Sequence, residues 1–208
     1  MTVGQQRALV ELLPRFELPY AAAPADLDAL FQRRAPREVE IGFGAGEALL
    51  ARAAARPEVD HLGIEVHRPG VGGLLLRVEQ LGLGNVRVSC HDAVEVLRDQ
   101  LAPGSLARVL LLFPDPWPKS RHHKRRIVTP GFAALVASRL APGGRFQLAT
   151  DWEPYAAQMR AVLDTTPGLV SATPGAYAPR PIDRPLTRFE RRGERLGHAV
   201  YDLEYSKR

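Results

Sequence analysis

The chain has 208 residues, 45% of them apolar, and a formal charge of +5 from 28 Lys and Arg against 23 Asp and Glu. That is length enough for a real core, with one domain plus appendages as the natural expectation; no apolar run approaches the ~20 residues that span a bilayer, and the opening MTVGQQRALVELLPRF lacks the apolar stretch of a secretory signal. Cys90 is the only cysteine, which rules out an internal disulfide and a cysteine-based metal site, so a cytoplasmic setting without membrane attachment is expected.

Residues 3–13 read as a helix on Val3, Leu9, Val10, Leu12 and Leu13. Pro14, Pro19 and Pro24 then predict an irregular lead-in to residue 36, with a short helix near 26–34. From Arg37 the pattern is regular: EVEIGF strand, EALLARAAAR helix, HLGIEV strand, helix over 70–81, NVRVSC strand, helix over 92–101. LARVLLLF strand, TPGFAALVASRL helix, GRFQLAT strand and a helix over 153–165 follow. Proline-rich chain comes next, with Pro167, Pro174, Pro179, Pro181 and Pro185, before HAVYDLEYSKR, which alternates as a final strand. Apolar strands alternating with helices predict the α/β class, a doubly wound and mostly parallel sheet with an antiparallel C-terminal strand. Residues 37–208 are then expected to form a single domain, with an Arg/Pro-rich segment at 167–197 and residues 1–36 leading in.

EIGFGAGE sets Gly42, Gly44 and Gly46 between the first strong strand and its helix, where a tight turn or a close ligand needs glycine. NAD, FAD and S-adenosylmethionine (SAM) folds all use such a loop. The acids sharpen the reading. Glu47 in the first helical turn would repel a pyrophosphate, although it also serves the helix dipole. SAM carries a sulfonium and an ammonium and no phosphate, which suits a ring of carboxylates that starts with Glu40. Glu65, at the end of GIEVH, is placed to accept from both ribose hydroxyls. Asp92 can cap the helix that follows it and can face the adenine amine, two compatible roles. Cys90 and His91 read as core and edge residues.

LLLFPDPWPKSRHHKRR carries the most information. An apolar strand delivers Asp115 between Pro114 and Pro116, whose rings stiffen the turn. Lys119, Arg121, Lys124, Arg125 and Arg126 follow within eight residues, and a second basic block holds Arg180, Arg184, Arg188, Arg191, Arg192 and Arg195. Two such blocks beside a fixed acid point to a polyanionic partner and to chemistry on a nucleic acid base; the alternative is a pair of solvated faces. Trp117 either stacks on a base or plugs the core beneath the loop. His122 and His123 are adjacent, so their side chains diverge, and no metal is expected.

Together EIGFGAGE, GIEVH, the HDA around Asp92, FPDPWPKSRHHKRR, ATDWEPYA and TRFERRGERLGH resemble the bacterial tRNA (guanine-N7)-methyltransferases over nearly the whole chain. The resemblance implies a class I, Rossmann-like methyltransferase that uses SAM, with tRNA as partner and N7 of the variable-loop guanine at position 46 as acceptor. It implies Glu40, Glu65, Asp92 and Asp115 as the acids of the SAM site, with Asp115 also the candidate catalytic residue. Lys119, Asp151, Thr187, Arg188, Phe189 and Glu190 match substrate positions, and residues 121–126 (Arg121, His122, His123, Lys124, Arg125 and Arg126) match an RNA-contacting stretch. Thr187 to Glu190, TRFE, also fits a capping-box turn. Two departures stand out. Many members carry a basic arm ahead of the part matching residues 2–14, so any grip from that arm is expected to be missing here, and Ser120 replaces a common basic residue. Rival readings are a SAM enzyme acting on a small molecule or protein, an NAD-dependent oxidoreductase, and an RNA-binding module without activity. The sequence leaves monomer and homodimer equally open.

Overall fold

The computed structural model describes residues 1–186, 190–191, 197 and 199–208. They fall into two compact units, Met1–Ala102 and Pro103–Arg208.

The first unit opens on α1 (Val3–Glu11), secured by a capping box in which Thr2 Oγ1 accepts from the Gln5 amide and Gln5 Oε1 from the Thr2 amide. The helix is shorter than the expected 3–13. A one-turn helix, α2 (Leu13–Phe16), takes the place of irregular chain, because Pro14 sits in its first turn, where no N–H is needed. α3 (Leu27–Phe31) falls inside the expected 26–34 and is capped by Asp26. β1 (Arg37–Ile41), β2 (Asp60–Ile64) and β3 (Val86–Ser89) pair in parallel in the order β3-β2-β1, joined by α4 (Glu47–Ala55) and α5 (Arg68–Gln80). β1 stops two residues early because the chain turns into left-handed backbone at Gly42. Instead of one helix over 92–101, α6 (Ala93–Glu95) passes into a π-helical turn at Val96–Gln100. The lead-in contributes to the core: Ala8, Leu9, Leu12 and Leu13 pack with Val71, Leu74, Leu75 and Val78 of α5. α1 approaches α5 so closely that a Cβ on Gly72 would lie 2.6 Å from the Gln5 carbonyl oxygen.

In the second unit β4 (Leu106–Leu112) and β5 (Leu140–Thr150) are parallel, with α7 (Pro130–Arg139) between them in sequence and α8 (Glu153–Asp164) after β5. β7 (Tyr201–Lys207) runs antiparallel to β5 and to β6 (Leu169–Ser171). β6 lies in what the sequence shows only as proline-rich chain; three residues are too few to display an alternation. Phe132, Val136, Phe146, Leu148, Tyr155, Met159 and Leu163 are buried here. The expected class is therefore the one that forms: α/β, mostly parallel, with antiparallel strands at the C-terminal end. Among the described residues no helix is long and apolar enough to cross a membrane.

Candidate active site

In the first unit the candidate residues gather where parallel strands end, the position at which open α/β sheets bind ligands. Gly42, Gly44 and Gly46 all have left-handed φ, of 69°, 57° and 73°. At Gly46 the demand is double, since a Cβ would also come within 2.4 Å of Leu74 Cδ1. The Gly44 amide donates to Glu65 Oε2 at 2.8 Å, and the His67 amide to Glu65 Oε1 at 2.9 Å. Glu65 thus ties the glycine loop to the end of β2, and each of its oxygens keeps a second lone pair for a hydroxyl. A loop that spends an amide on a carboxylate, next to a helix that starts with Glu47, disfavours a pyrophosphate. Asp92 caps α6: its Oδ1 accepts from the Val94 and Glu95 amides. Cys90 borders the apolar core. The His91 ring stacks on Tyr20 at 3.7 Å and is bonded to Glu95 through Nε2.

Glu40 stands apart. Its side chain is 4% exposed, and Oε2 has no hydrogen-bond partner among the described residues. Two residues back on the same strand face, Glu38 is buried as deeply but bonded by Arg52 and Arg56 at 2.5 and 2.6 Å. Burial pushes the Glu40 carboxyl up to about 8, the Glu38 charge adds to the rise, and Arg52 opposes it. A buried carboxyl that stays mostly neutral near pH 7, with an orphaned oxygen beside a glycine loop, is a candidate to take up its charge when a cationic ligand binds. The acids therefore fit a ligand that brings hydroxyls and positive charge and no phosphate. The sequence did not single out Glu38, although its spacing of two from Glu40 shows that both face the same way.

In the second unit Asp115 follows β4 and Asp151 follows β5, at the same ends of two parallel strands. Asp115 is exposed and makes no hydrogen bond or ion pair to any described residue. Its flanks are strained: Phe113 and Trp117, neither a glycine, have φ of 52° and 44°. Such conformations cost of order 1–3 kcal/mol each and cluster at functional sites. Trp117 is half-buried, with the Arg125 guanidinium 4.8 Å from its ring centre and His122 edge-on at 5.9 Å. Its ring thus sits against the cations of the turn, part covered and part open. Lys119, Arg121, His123, Lys124 and Arg125 are exposed around a 3-10 helix, Ser120–Arg125. Arg126 departs from expectation. It is 4% exposed and turned inward, so in this structure it presents nothing to a phosphate. No group of three or more His, Cys, Asp or Glu among the described residues could hold a metal ion.

The second basic block also needs correction. Arg184 is 3% exposed, bonded to Glu190 at 2.6 and 2.9 Å and to Asp202 at 3.0 Å. Arg180 adds a 3.0 Å bond to Glu190. Burial alone would raise the Glu190 carboxyl, but hydrogen bonds from Arg184 and Arg180 hold it below the usual carboxylate range. Two buried acids need a buried cation, and that need draws Arg184 in and engages Glu190, matched in sequence to a substrate contact, in an internal clamp. Thr187, Arg188, Phe189, Arg192 and Arg195 lie outside the described residues.

Glycine loop, strand-end acids and parallel topology together define a methyltransferase of the SAM-binding α/β type. A methyltransferase family model, Methyltransf_4, matches residues 34–203. The solved 16S rRNA methyltransferase KamB superposes with a TM-score of 0.68 at 16% identity, over 90% of this chain and 95% of that one, a likeness of fold. Sequence similarity narrows the class. The tRNA (guanine-N(7)-)-methyltransferase of Thiobacillus denitrificans is 58% identical over 99% of this chain and 90% of its own length. That of Leifsonia xyli subsp. xyli is 58% identical over 98% and 90%. The chain belongs to the tRNA (guanine-N7)-methyltransferase family.

Proposed function

We propose that this protein transfers the methyl group of SAM to N7 of a guanine in tRNA, at position 46 of the variable loop, in the cytoplasm where its substrate is made. The observation that carries the reading is the near full-length identity to relatives of that name. The unpartnered Glu40 carboxylate and the Glu65-tied glycine loop support it from the structure.

Guanine N7 offers an in-plane lone pair and no proton, so the chemistry calls for alignment and charge stabilisation rather than a strong base. SAM supplies an electrophilic methyl group on a positively charged sulfur. In the first unit Glu40 would offset the donor's positive charge, Glu65 accept from the ribose hydroxyls and Asp92 Oδ2 face the adenine amine, while Gly42, Gly44 and Gly46 leave room for close approach. In the second unit Asp115 and Asp151 would hold the guanine through its N1 and N2 hydrogens and favour the positive charge that develops on the ring. Orientation of this kind supplies on the order of 7–11 kcal/mol in the best intramolecular cases. Lys119, Arg121, His122, His123, Lys124 and Arg125 would track the RNA, with phosphate contacts that weaken in salt, and Thr187, Arg188 and Phe189 would close on an extruded base.

The test is incubation with labelled SAM and unmodified tRNA, followed by borohydride–aniline cleavage. One cut at the variable-loop guanine is expected. Label on protein or small molecules with intact tRNA would mark a different methyltransferase, and binding without label an inactive module.

A further inference from the structure

Arg126 sits at the end of a run matched to RNA contacts, yet its guanidinium is buried, with Nε and Nη1 bonded inside the protein and Nη2 buried without a partner among the described residues. Nε donates to the Pro116 carbonyl at 2.8 Å, and Nη1 donates to Gln158 Oε1 at 2.5 Å. The guanidinium lies 4.7 Å from the ring centre of Tyr155. Gln158 Nε2 in turn donates to the Val128 carbonyl, and the Val128 amide to the Tyr155 hydroxyl. Arg126 is thus a bolt between α8 and the proline turn, attached at the residue that follows Asp115. The turn needs one. Asp115 makes no bond of its own to any described residue, and its neighbours Phe113 and Trp117 hold unfavourable φ that an unsupported loop would relax.

We propose that Arg126 is a positioning residue for Asp115, acting through the Pro116 carbonyl, and is not a phosphate contact. The proposal rests on the reading of Asp115 as a catalytic residue. It separates two neighbours of like charge: Arg125 faces outward and sets RNA affinity, whereas Arg126 faces inward and sets the geometry of the acid.

Single-turnover methylation at saturating tRNA and SAM, together with tRNA binding across a salt series, distinguishes these roles in Arg125→Ala, Arg126→Gln, Arg126→Lys, Gln158→Met and Asp115→Asn. For Arg126→Gln the saturated rate should fall about 10- to 100-fold, the cost of a misplacement near 1 Å, with tRNA affinity and its salt slope unchanged. Arg126→Lys should not restore the rate, since a point ammonium cannot serve Pro116, Gln158 and the Tyr155 face together. Gln158→Met should reproduce part of the loss with no change of charge, and it decides the question if Arg126→Gln does not fold. Arg125→Ala should weaken binding and lower the log-affinity against log-salt slope by ~0.7–0.9. The proposal is overturned if Arg126→Gln weakens tRNA binding with a reduced slope and recovers its rate at high tRNA, or if Arg126→Lys behaves as wild type. If Asp115→Asn keeps the wild-type rate, the catalytic reading of Asp115 fails. If Asp115→Asn is slow while Arg126→Gln and Gln158→Met are fast, only the positioning role falls.

Discussion

Glu40 makes binding of the methyl donor depend on pH in a way that can be worked from the structure. Its carboxyl is raised from 4.5 to about 8 by burial, reinforced by Glu38 and opposed by Arg52. At pH 7 roughly nine-tenths of the free protein therefore carries the proton on Glu40. A cationic ligand favours the carboxylate, so binding at pH 7 should release close to one proton, and the dissociation constant should fall about ninefold from pH 6 to 7 and about five- to sixfold from pH 7 to 8. Glu40→Gln keeps the shape and removes the titration. It should bind SAM about 10- to 100-fold more weakly at pH 8, the worth of a charge-assisted contact, and the gap should narrow toward pH 6. Titration calorimetry in two buffers of different ionisation heat counts the protons. The donor's own amino group titrates equally in both proteins, so the difference between them belongs to Glu40. The ligand-free protein carries the same signature with a definite sign. Between 4.5 and about 8 the unfolded chain gives up this proton while the folded chain keeps it, so stability from this group is present below 4.5 and is lost as pH rises to about 8. Glu40→Gln should flatten that decline. Equal proton release by wild type and Glu40→Gln would refute the reasoning, and so would wild-type affinity that stays flat from pH 6 to 8.

Asp115→Asn should cut the methylation rate far more than SAM affinity, because the acid is assigned to the guanine ring; comparable losses in calorimetry and in single-turnover rate would contradict that assignment. Glu190→Gln should cost about 1.5–3 kcal/mol in urea unfolding, the worth of hydrogen bonds to a charged group, because the buried Arg184 keeps Asp202 as its remaining anionic partner. A loss below about 0.5 kcal/mol, as for an exposed pair, would contradict the internal clamp. His61 is pulled down to about 4, first by burial and then by the Arg52 and Arg56 charges against Glu38. The stability it contributes is present above 6.5 and is lost as pH falls toward 4, and His61→Gln should show a shallower fall in melting temperature across that window.

Local pattern made much of this protein legible from residues alone. Apolar runs at strand length alternating with helical periodicity suffice for a mostly parallel α/β fold, because burial on both faces of a sheet leaves little choice of residue type. The spacing of Gly42, Gly44 and Gly46, the acids Glu65 and Asp92, and the proline-bracketed Asp115 could likewise be read, since each rests on a few consecutive residues. Strand ends then bring Glu65 and Asp92 to one edge in the first unit and Asp115 and Asp151 to one edge in the second. The short strand β6 and the π-helical turn at Val96–Gln100 could not be read, because neither is long enough to carry a period.

Tertiary structure alone decided what each charge does. Glu38 and Glu40 are the same residue type on one strand face, yet one is neutralised by arginines of α4 and its C-terminal cap while the other keeps an orphaned oxygen and a raised carboxyl. Arg125 and Arg126 are adjacent and identical, yet one lies over Trp117 at the surface and the other is bonded beneath the turn. In sequence every arginine is a solvated cation. Which of them is desolvated depends on partners supplied by distant segments, as when Asp202 of β7 helps draw Arg184 inward, and the energy of a buried charge resides in those partners, whose placement no local pattern contains.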